Sequence, residues 1–379
     1  MVQSDRIHIS TKLTFEEQEF LLGWLKASPF SDKVHHFLTS GSTAGSLFHS
    51  KWVILSDDAI QNAAQASNEF LDCTKSDKWL NPLPSFHVGG FSIFERARLL
   101  GNEVVGFDWE RWNPRAYAEL LEASSATLSS LVPTQVFDLV QAHLRAPESV
   151  RAIIVGGARL PDDLYWTARE LGWPLLRSYG LTEACSQVAT EKLSSLDHQF
   201  GGQELKLLPH LDSVTDSEGR IMIRGSSLFS GYLLFQEGIG PYFYDPKTID
   251  RYFITEDYGR INGRSIEVTG RTTDQIKING ELISLNKLRE KLSMVAGQFA
   301  NQLTLLEVDD KRRGNAIVMV FESNMDLLLA NDIQNRYNSV VLPLERIRDV
   351  IRVENLPRTA LNKIKWEELR QLVKMQTSC

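Results

Sequence analysis

The sequence predicts an α/β fold: a large N-terminal domain of βαβ layers carrying a β-rich subdomain, then a small, mobile α+β C-terminal domain. Three observations lead there. Strand-like apolar runs alternate with helical stretches of about a dozen residues as far as Tyr179, the pattern of a mainly parallel sheet. Near residue 200 the texture changes to short strands and turns, as in "SVTDSEGRIMIRGSS" and "FITEDYGRINGRSIEV". Around "GRTTDQIKINGEL" it changes again, to a mixed segment running to the C-terminus. The expected division is 1–270 and 271–379, with no Pro/Gly/Ser-rich linker at the join.

Taken in order, Thr14 and Glu17 fit a capping box ahead of "FLLGWL", so a helix is expected over 14–26. "KWVILS" reads as a strand, and Ser56-Asp57-Asp58 then caps a helix reaching Phe70. "EVVGF" is the next strand, Pro114 to Glu122 a helix, and "TLSSLVPT" a strand followed by a helix from Pro133. "AIIVGG", a helix after "LPDD", and "PLLRSYG" complete the alternation. No internal repeat or low-complexity tract interrupts it.

Composition excludes several classes. A net charge of −7 argues against a general nucleic-acid or membrane surface. The chain has no run of 18 apolar residues, so no membrane-spanning helix or stable membrane insertion is expected. Its first residues lack the basic-then-apolar layout of a signal peptide. Cys73, Cys185 and Cys379 are too few and too scattered for a disulfide framework or a zinc site. A reduced, cytoplasmic protein is the expectation.

Chemistry concentrates in loops after strands, where open α/β sheets bind ligands. "FLTSGSTAGSLFHSKWVIL" sets a hydroxyl-rich glycine loop between two strands, suited to converging N–H groups on an anion. It fails the Walker spacing: Ser46 stands five residues after Gly41, and no Gly-Lys pair follows. A plain surface connection is the other reading of such a loop. Gly156-Gly157 permit close backbone approach to a flat ligand. Tyr179, Thr182 and Glu183 offer an aromatic face, a hydroxyl and a carboxylate for a base, a phosphate and a magnesium ion. Asp257 is suited to accept bonds from both ribose hydroxyls, with Arg271 reaching the same sugar. Singly, each has a bland alternative: a core tyrosine, a helix-capping Thr-Glu pair, an aspartate in a turn.

Their order is more specific. "TSGST", "PSFHVGG", "VPTQVFDLV", "GGARLP", "SYGLTE", "TEDYGR", "GRTTDQIKINGE" and "LPRTALNKIKW" follow one another as in the adenylate-forming enzymes. From Phe37 to Trp366 the chain resembles the acyl-CoA synthetases of that superfamily. The resemblance implies ATP and CoA as co-substrates and Mg2+ as cofactor, with a small carboxylic acid as partner. It assigns Ser40, Gly41, Ser42, Thr43 and Lys51 to the outer phosphates of ATP. Gly156, Gly157, Ala158, Tyr179, Gly180, Asp257 and Arg271 fall to the rest of the nucleotide, and Glu183 with Thr182 to the metal. Lys363 becomes the lysine that swings in from the C-terminal domain for adenylation. Lys277 and Gly280 in "KINGE" arrive for thioester formation, after rotation about Arg271–Asp274. His87 would line the acyl and CoA channel.

Within the family, "FHVGGFSIFERARLLGNEVV" and "SYGLTEACSQVAT" look most like the 2-succinylbenzoate–CoA ligases of menaquinone synthesis. That likeness implies an acid with a second, non-reacting carboxylate, for which Arg96, Arg159, Ser186, Gln187 and Thr190 are the candidate partners. Arg96 has a rival reading as a surface helix residue. Four departures stand out. The phosphate loop is longer and lacks proline before Lys51; Thr273 replaces a hinge acid; Asn362 replaces the usual glycine before Lys363; and the segment before residue 37 is short, as if an N-terminal subdomain were trimmed. The alternatives are another acyl- or aryl-CoA ligase, a stand-alone adenylation enzyme loading a carrier protein, and a non-catalytic nucleotide-binding protein; a Walker-type NTPase fits least.

Overall fold

The computed structural model describes residues 7–8, 16, 19–20, 23 and 35–39, and from 52 onward all but 107–111, 198–203, 237–239, 272–274, 279–280, 311–313, 360–361 and 378–379. The expected phosphate loop therefore lies outside the described residues, as does most of the expected first helix. Internal contacts divide the chain into Met1–Thr255 with Gly259–Val268, and Glu256–Tyr258 with Thr269–Cys379.

In the first unit, local chemistry sets the helices as the sequence anticipates. The Ser56 hydroxyl accepts the Ala59 amide at 3.2 Å and starts the Asp57–Phe70 helix, whose first turn holds Asp57 and Asp58 against the helix dipole. Asn113 caps Pro114–Ser124 by accepting the Arg115 and Ala116 amides, and proline sits at the first helical position. A helix over Val88–Leu100 follows His87 directly and ends on Gly101 in the left-handed conformation.

Five strands run parallel in the spatial order Glu103–Val105, Lys78–Leu80, Leu128–Leu131, Ala152–Val155, Leu175–Leu181. Apolar side chains cover both faces. Tyr117, Leu121, Ile153, Trp173 and Leu175 pack in one cluster, and Trp79, Ile93, Leu128 and Leu176 in another. Such double burial explains why the Ala152–Val155 strand reads as an unbroken apolar run rather than an alternation. The short strands beyond residue 185 do not form a free-standing layer. Ser186–Thr190, Leu205–Leu207, Ser265–Arg271, Phe253–Asn262, Arg220–Gly225 and Leu211–Thr215 extend the same sheet to eleven strands. A second sheet has the order Ile7–His8, His35–Thr39, Trp52–Ser56, Gly231–Gln236, Gly240–Tyr244. Among the described residues no helix is long and apolar enough to cross a membrane.

The other unit holds a Gln275–Ile278/Glu281–Ser284 hairpin and a three-stranded sheet of Leu303–Asp310, Gly314–Glu322 and Ile347–Val353. The helices Leu285–Ala296 and Leu327–Ser339 close its core through Leu285, Leu288, Leu292, Ile333 and Tyr337 on Ile317, Met319 and Phe321.

One polar clamp ties the N-terminal ends of the parallel strands together. Asp77 takes two bonds from the Arg151 guanidinium (2.7 and 2.9 Å), one from the Thr127 hydroxyl (2.7 Å) and one from the Thr74 amide (2.8 Å). Burial pushes the Asp77 carboxyl up, yet these donors outweigh it and bring its pKa down to about 2 from 3.8. A carboxyl whose folded pKa lies below its unfolded value stabilises the fold above the unfolded value and stops doing so as pH falls through the folded one. Asp77→Asn should therefore cost roughly 2 kcal/mol near pH 7, and the gap to the parent protein should narrow between pH 4 and pH 2. Urea titrations followed by tryptophan fluorescence across that range check it.

Candidate active site

The Leu175–Leu181 strand forks. Its first half pairs parallel with Ala152–Val155 (Ile153↔Leu175 to Val155↔Arg177), and its second half pairs antiparallel with Ser186–Thr190 (Ser178↔Thr190 to Leu181↔Ser186). Residues 178–181 thus run past the end of their parallel neighbour and leave one edge open beside Gly156 and Gly157. Gly157 has φ +81°, which favours glycine. Gly156 serves packing: a Cβ there would lie 2.8 Å from Ser178 Oγ, whose hydroxyl donates to the Val155 carbonyl. Gly157, Ala158 and Arg159 are exposed along this edge. Gly180 sits at a register shift between the two strands, and a Cβ there would come within 2.0 Å of the Ser186 carbonyl oxygen. Tyr179 is half-buried on the same strand.

The turn that follows, Thr182–Ala184, ends on Cys185 at φ +56° and Ser186 at φ +92°. Within it Glu183 is only 8% exposed. Its Oε1 accepts the Tyr232 hydroxyl at 2.8 Å; among the described residues no other hydrogen bond or ion pair reaches the carboxylate. Gln187 donates its amide to the Thr190 hydroxyl, and Thr190 is fully buried. Of the three expected polar partners here, Ser186 is the more open. Beneath the strand Arg177 lies over the Tyr165 ring at 4.0 Å and pairs with Asp162 at 2.9 Å. The Arg177 amide donates to fully buried Glu191 at 2.8 Å.

His87 stands at the start of the Val88–Leu100 helix, half-buried, its ring 4.6 Å from that of Phe86. Two turns further on, Arg96 is not a surface residue: it is 2% exposed. The sequence favours solvent for an arginine flanked by Glu95 and Arg98; helix packing decides otherwise. Its guanidinium is 5.7 Å from the Trp79 ring centroid, and its Nε is buried with no hydrogen-bond partner. Burial lowers its pKa to about 10. Together with Ile60, Ala64, Phe91, Glu95 and Cys185 it lines a crevice that admits about one water molecule. The nearby Glu95 carboxylate is engaged by Arg98 at 2.9 Å.

In the C-terminal unit two expected partners meet. Arg271 Nε lies 3.1 Å from Asp257 Oδ1, and Glu256 is 3.8 Å from the same guanidinium. Lys363 is placed in a hairpin turn ahead of the Trp366–Thr377 helix. Its amide donates to the Thr359 hydroxyl at 3.2 Å and its carbonyl accepts the Thr359 amide at 2.7 Å. Asn362, the residue in place of glycine, has φ +59°, a conformation that asparagine tolerates better than most residues. Burial first and the Arg271 charge second lower the Lys363 pKa. Lys277 lies in the Gln275–Ile278 strand. Ser40, Gly41, Ser42, Thr43, Lys51 and Gly280 lie outside the described residues.

Two residues with no motif to announce them support the Thr-Glu turn. Tyr232 reads in sequence as an ordinary strand aromatic, and Lys247 as a surface charge. The Lys247 side chain is 2% exposed, pairs with Asp245 at 2.6 Å, and donates to the Phe229 and Ser230 carbonyls at 2.9 Å each.

A largely parallel sheet with a forked strand, a glycine pair and a Thr-Glu turn with its glutamate buried sets out a candidate ligand site of the α/β class. The chain belongs to the AMP-binding enzyme family, whose profile matches residues 28–233. It is 26% identical over 314 residues to the 2-succinylbenzoate–CoA ligase of Enterococcus faecalis, covering 80% of this chain and 62% of that protein. The ligase of the same name from Listeria monocytogenes is 26% identical over 363 residues, covering 94% and 73%. The solved o-succinylbenzoate CoA synthetase of Bacillus subtilis, in complex with its acyl-adenylate intermediate, shares the fold at TM-score 0.72 and 23% identity, covering 88% of this chain and 68% of that one. The chain thus spans about three-fifths of the Enterococcus faecalis relative's length.

Because Arg96 is buried without an anion, removing its charge should not weaken the fold. Arg96→Met, which keeps the stem volume, should melt at the same temperature or higher. A drop of about 3 °C, the mark of roughly 1 kcal/mol, would show that the guanidinium has a structural partner.

Proposed function

We propose that the protein is an ATP-dependent acid–thiol ligase that forms an acyl-adenylate and pyrophosphate, then an acyl-CoA thioester and AMP. The acid is 2-succinylbenzoate, and the setting is menaquinone synthesis in the cytoplasm. The observation that carries this reading is the Glu183 carboxylate: buried at the end of the forked strand, one oxygen held by Tyr232 and the other open, in a chain of the AMP-binding family. A single carboxylate suits Mg2+, which keeps most of its coordination for water and substrate phosphates.

In this reading residues 1–270 bind nucleotide and acid, and residues 271–379 carry the mobile lysine. When bound, Mg2+ neutralises the phosphate oxygens of ATP. Glu183 and Thr182 would hold it in place. Tyr179 and the Gly156–Ala158 edge bound the adenine, while Gly180 lets the strand turn toward the phosphates. Asp257, its carboxylate oriented by Arg271, accepts the ribose hydroxyls. Ser40, Gly41, Ser42, Thr43 and Lys51 steady pyrophosphate as it leaves. Lys363 draws the attacking carboxylate to the α-phosphorus. Burial and the Arg271 charge lower the Lys363 pKa, and negative charge developing at the α-phosphorus would favour its charged form. For the second step Lys277 and Gly280 replace Lys363, and His87 borders the path of the thiol.

The choice of acid rests on the relatives and on Arg96. An unmatched buried guanidinium is suited to a carboxylate that is recognised but does not react. The crevice beside it admits only about one water molecule, so the aryl ring would lie outside it, toward Ser186 and Gln187, with Arg159 and Thr190 as further candidates. A panel of acids incubated with ATP, Mg2+ and CoA, read by mass spectrometry of the thioester, tests the proposal. 2-Succinylbenzoyl-CoA should dominate. A thioester from a monocarboxylic acid alone would move the assignment to another acyl-CoA ligase, and adenylate without thioester would overturn the CoA step.

Lys363→Ala should leave ATP affinity unchanged and slow adenylate formation by about 10²–10³-fold, the usual worth of one preorganised donor. Pyrophosphate exchange measures the first half-reaction. Supplied with preformed adenylate, the variant should still make thioester, because its charge acts only in the first transition state.

A further inference from the structure

The Glu183 carboxylate is not positioned by its own turn alone. Its oxygen Oε1 accepts the hydroxyl of Tyr232, which is 4% exposed and whose ring packs edge-on against Phe229 with centroids 4.7 Å apart. Its backbone carbonyl accepts the Phe229 amide at 2.8 Å. The segment supplying both donors is fixed on two sides. The Ser230 amide donates to the Ile54 carbonyl, and Gly231–Leu233 pairs with Trp52–Ile54 of the neighbouring strand. From the other side Lys247, buried and paired with Asp245, donates to the Phe229 and Ser230 carbonyls and lies 4.5 Å from the Phe229 ring centroid. A buried lysine is costly unless its charge is matched. Here both the match and the position converge on the two residues next to the contact with Glu183.

We infer that Tyr232 is a positioning residue for metal binding at Glu183, and that Lys247 holds the segment from which Tyr232 acts. The inference rests on the reading of Glu183 as the Mg2+ ligand and adds what sets its geometry. With Oε1 held by a phenol, the second oxygen is the one without a described partner, so the carboxylate would serve as a one-oxygen ligand. That suits an octahedral ion that dehydrates reluctantly. Without the phenol the carboxylate is free to rotate, and loss of such an outer hydrogen bond typically weakens metal binding by about 10–100-fold.

Tyr232→Phe keeps the ring and removes the hydroxyl. The Mg2+ concentration giving half-maximal adenylation should rise at least about tenfold, with kcat at saturating Mg2+ within about twofold of the parent. Binding of Mn2+ with ATP, read by the paramagnetic resonance of free Mn2+, should weaken by the same factor without reference to turnover. AMP affinity should not change. A purely structural tyrosine would lower the melting temperature and leave both metal midpoints in place, which overturns the proposal. Glu183→Gln measured alongside separates the two readings. If it shifts the midpoints and Tyr232→Phe does not, Tyr232 has no positioning role; if neither shifts them, the metal reading of Glu183 falls as well. Lys247→Met, with Tyr232 intact, should shift the Mn2+ midpoint in the same direction by a smaller factor.

Discussion

The site depends on one strand satisfying two hydrogen-bonding patterns in succession. Leu175 to Arg177 belong to a parallel ladder; Ser178 to Leu181 belong to an antiparallel one. Backbone groups inside a sheet must be paired, so the change of partner has to occur where the chain tolerates irregularity. Gly180 provides that place, since any side chain would strike the Ser186 carbonyl. The left-handed residues Cys185 and Ser186 then return the chain into the sheet. Between the two lies the Thr182–Ala184 turn, so the geometry that ends the parallel sheet is also the geometry that sets out Tyr179, Thr182 and Glu183. Open α/β sheets bind ligands at such switches because the chain there leaves a crevice beyond the strand ends.

Two arginines, one half-buried and one buried, show how differently the sheet treats charge. Arg151 is matched by Asp77 and by the Leu71 carbonyl, and it lies at the N-terminal side of the parallel strands, where it serves the fold. Arg96 is more deeply buried, at 2% exposed, and among the described residues no anion pairs with it. Folding alone does not favour such a charge, because desolvation goes uncompensated. Its only described attraction is the Trp79 face, 5.7 Å away and near the limit of such contacts.

Much of the first unit was legible because each signal there is local. Ser56, Asn113 and Pro133 mark helix starts by capping chemistry, and the apolar runs at 52–55, 128–131 and 152–155 are strands buried on both faces. The motif order likewise identified the turns that the structure places at the fork. What could not be read depends on contacts remote in sequence. Arg96 looks solvent-facing beside Glu95 and Arg98, and only the packing of the Asp57–Phe70 and Val88–Leu100 helices buries it. Tyr232 lies 49 residues from its carboxylate partner, and no spacing announces the pair. The short strands after residue 200 were legible as a β-rich subdomain, but not their pairing, because partners such as Ser265 for Lys206 lie far along the chain.

Asn362 shows a departure from a family pattern preserving what the pattern exists to provide. A glycine before the lysine would supply positive φ; asparagine supplies it too, at a modest conformational cost. Around it the turn is closed by its own bonds: the Thr359 hydroxyl to the Lys363 amide, the Thr359 amide to the Lys363 carbonyl, and Arg358 to the Asn362 carbonyl at 2.9 Å. The lysine backbone is therefore fixed within its own unit. A lysine whose pKa is lowered by burial and by Arg271 gains more from negative charge developing beside it in a transition state than a solvated one would. In the proposed reaction that gain is realised as ATP and acid meet, which is when an adenylating lysine has to act.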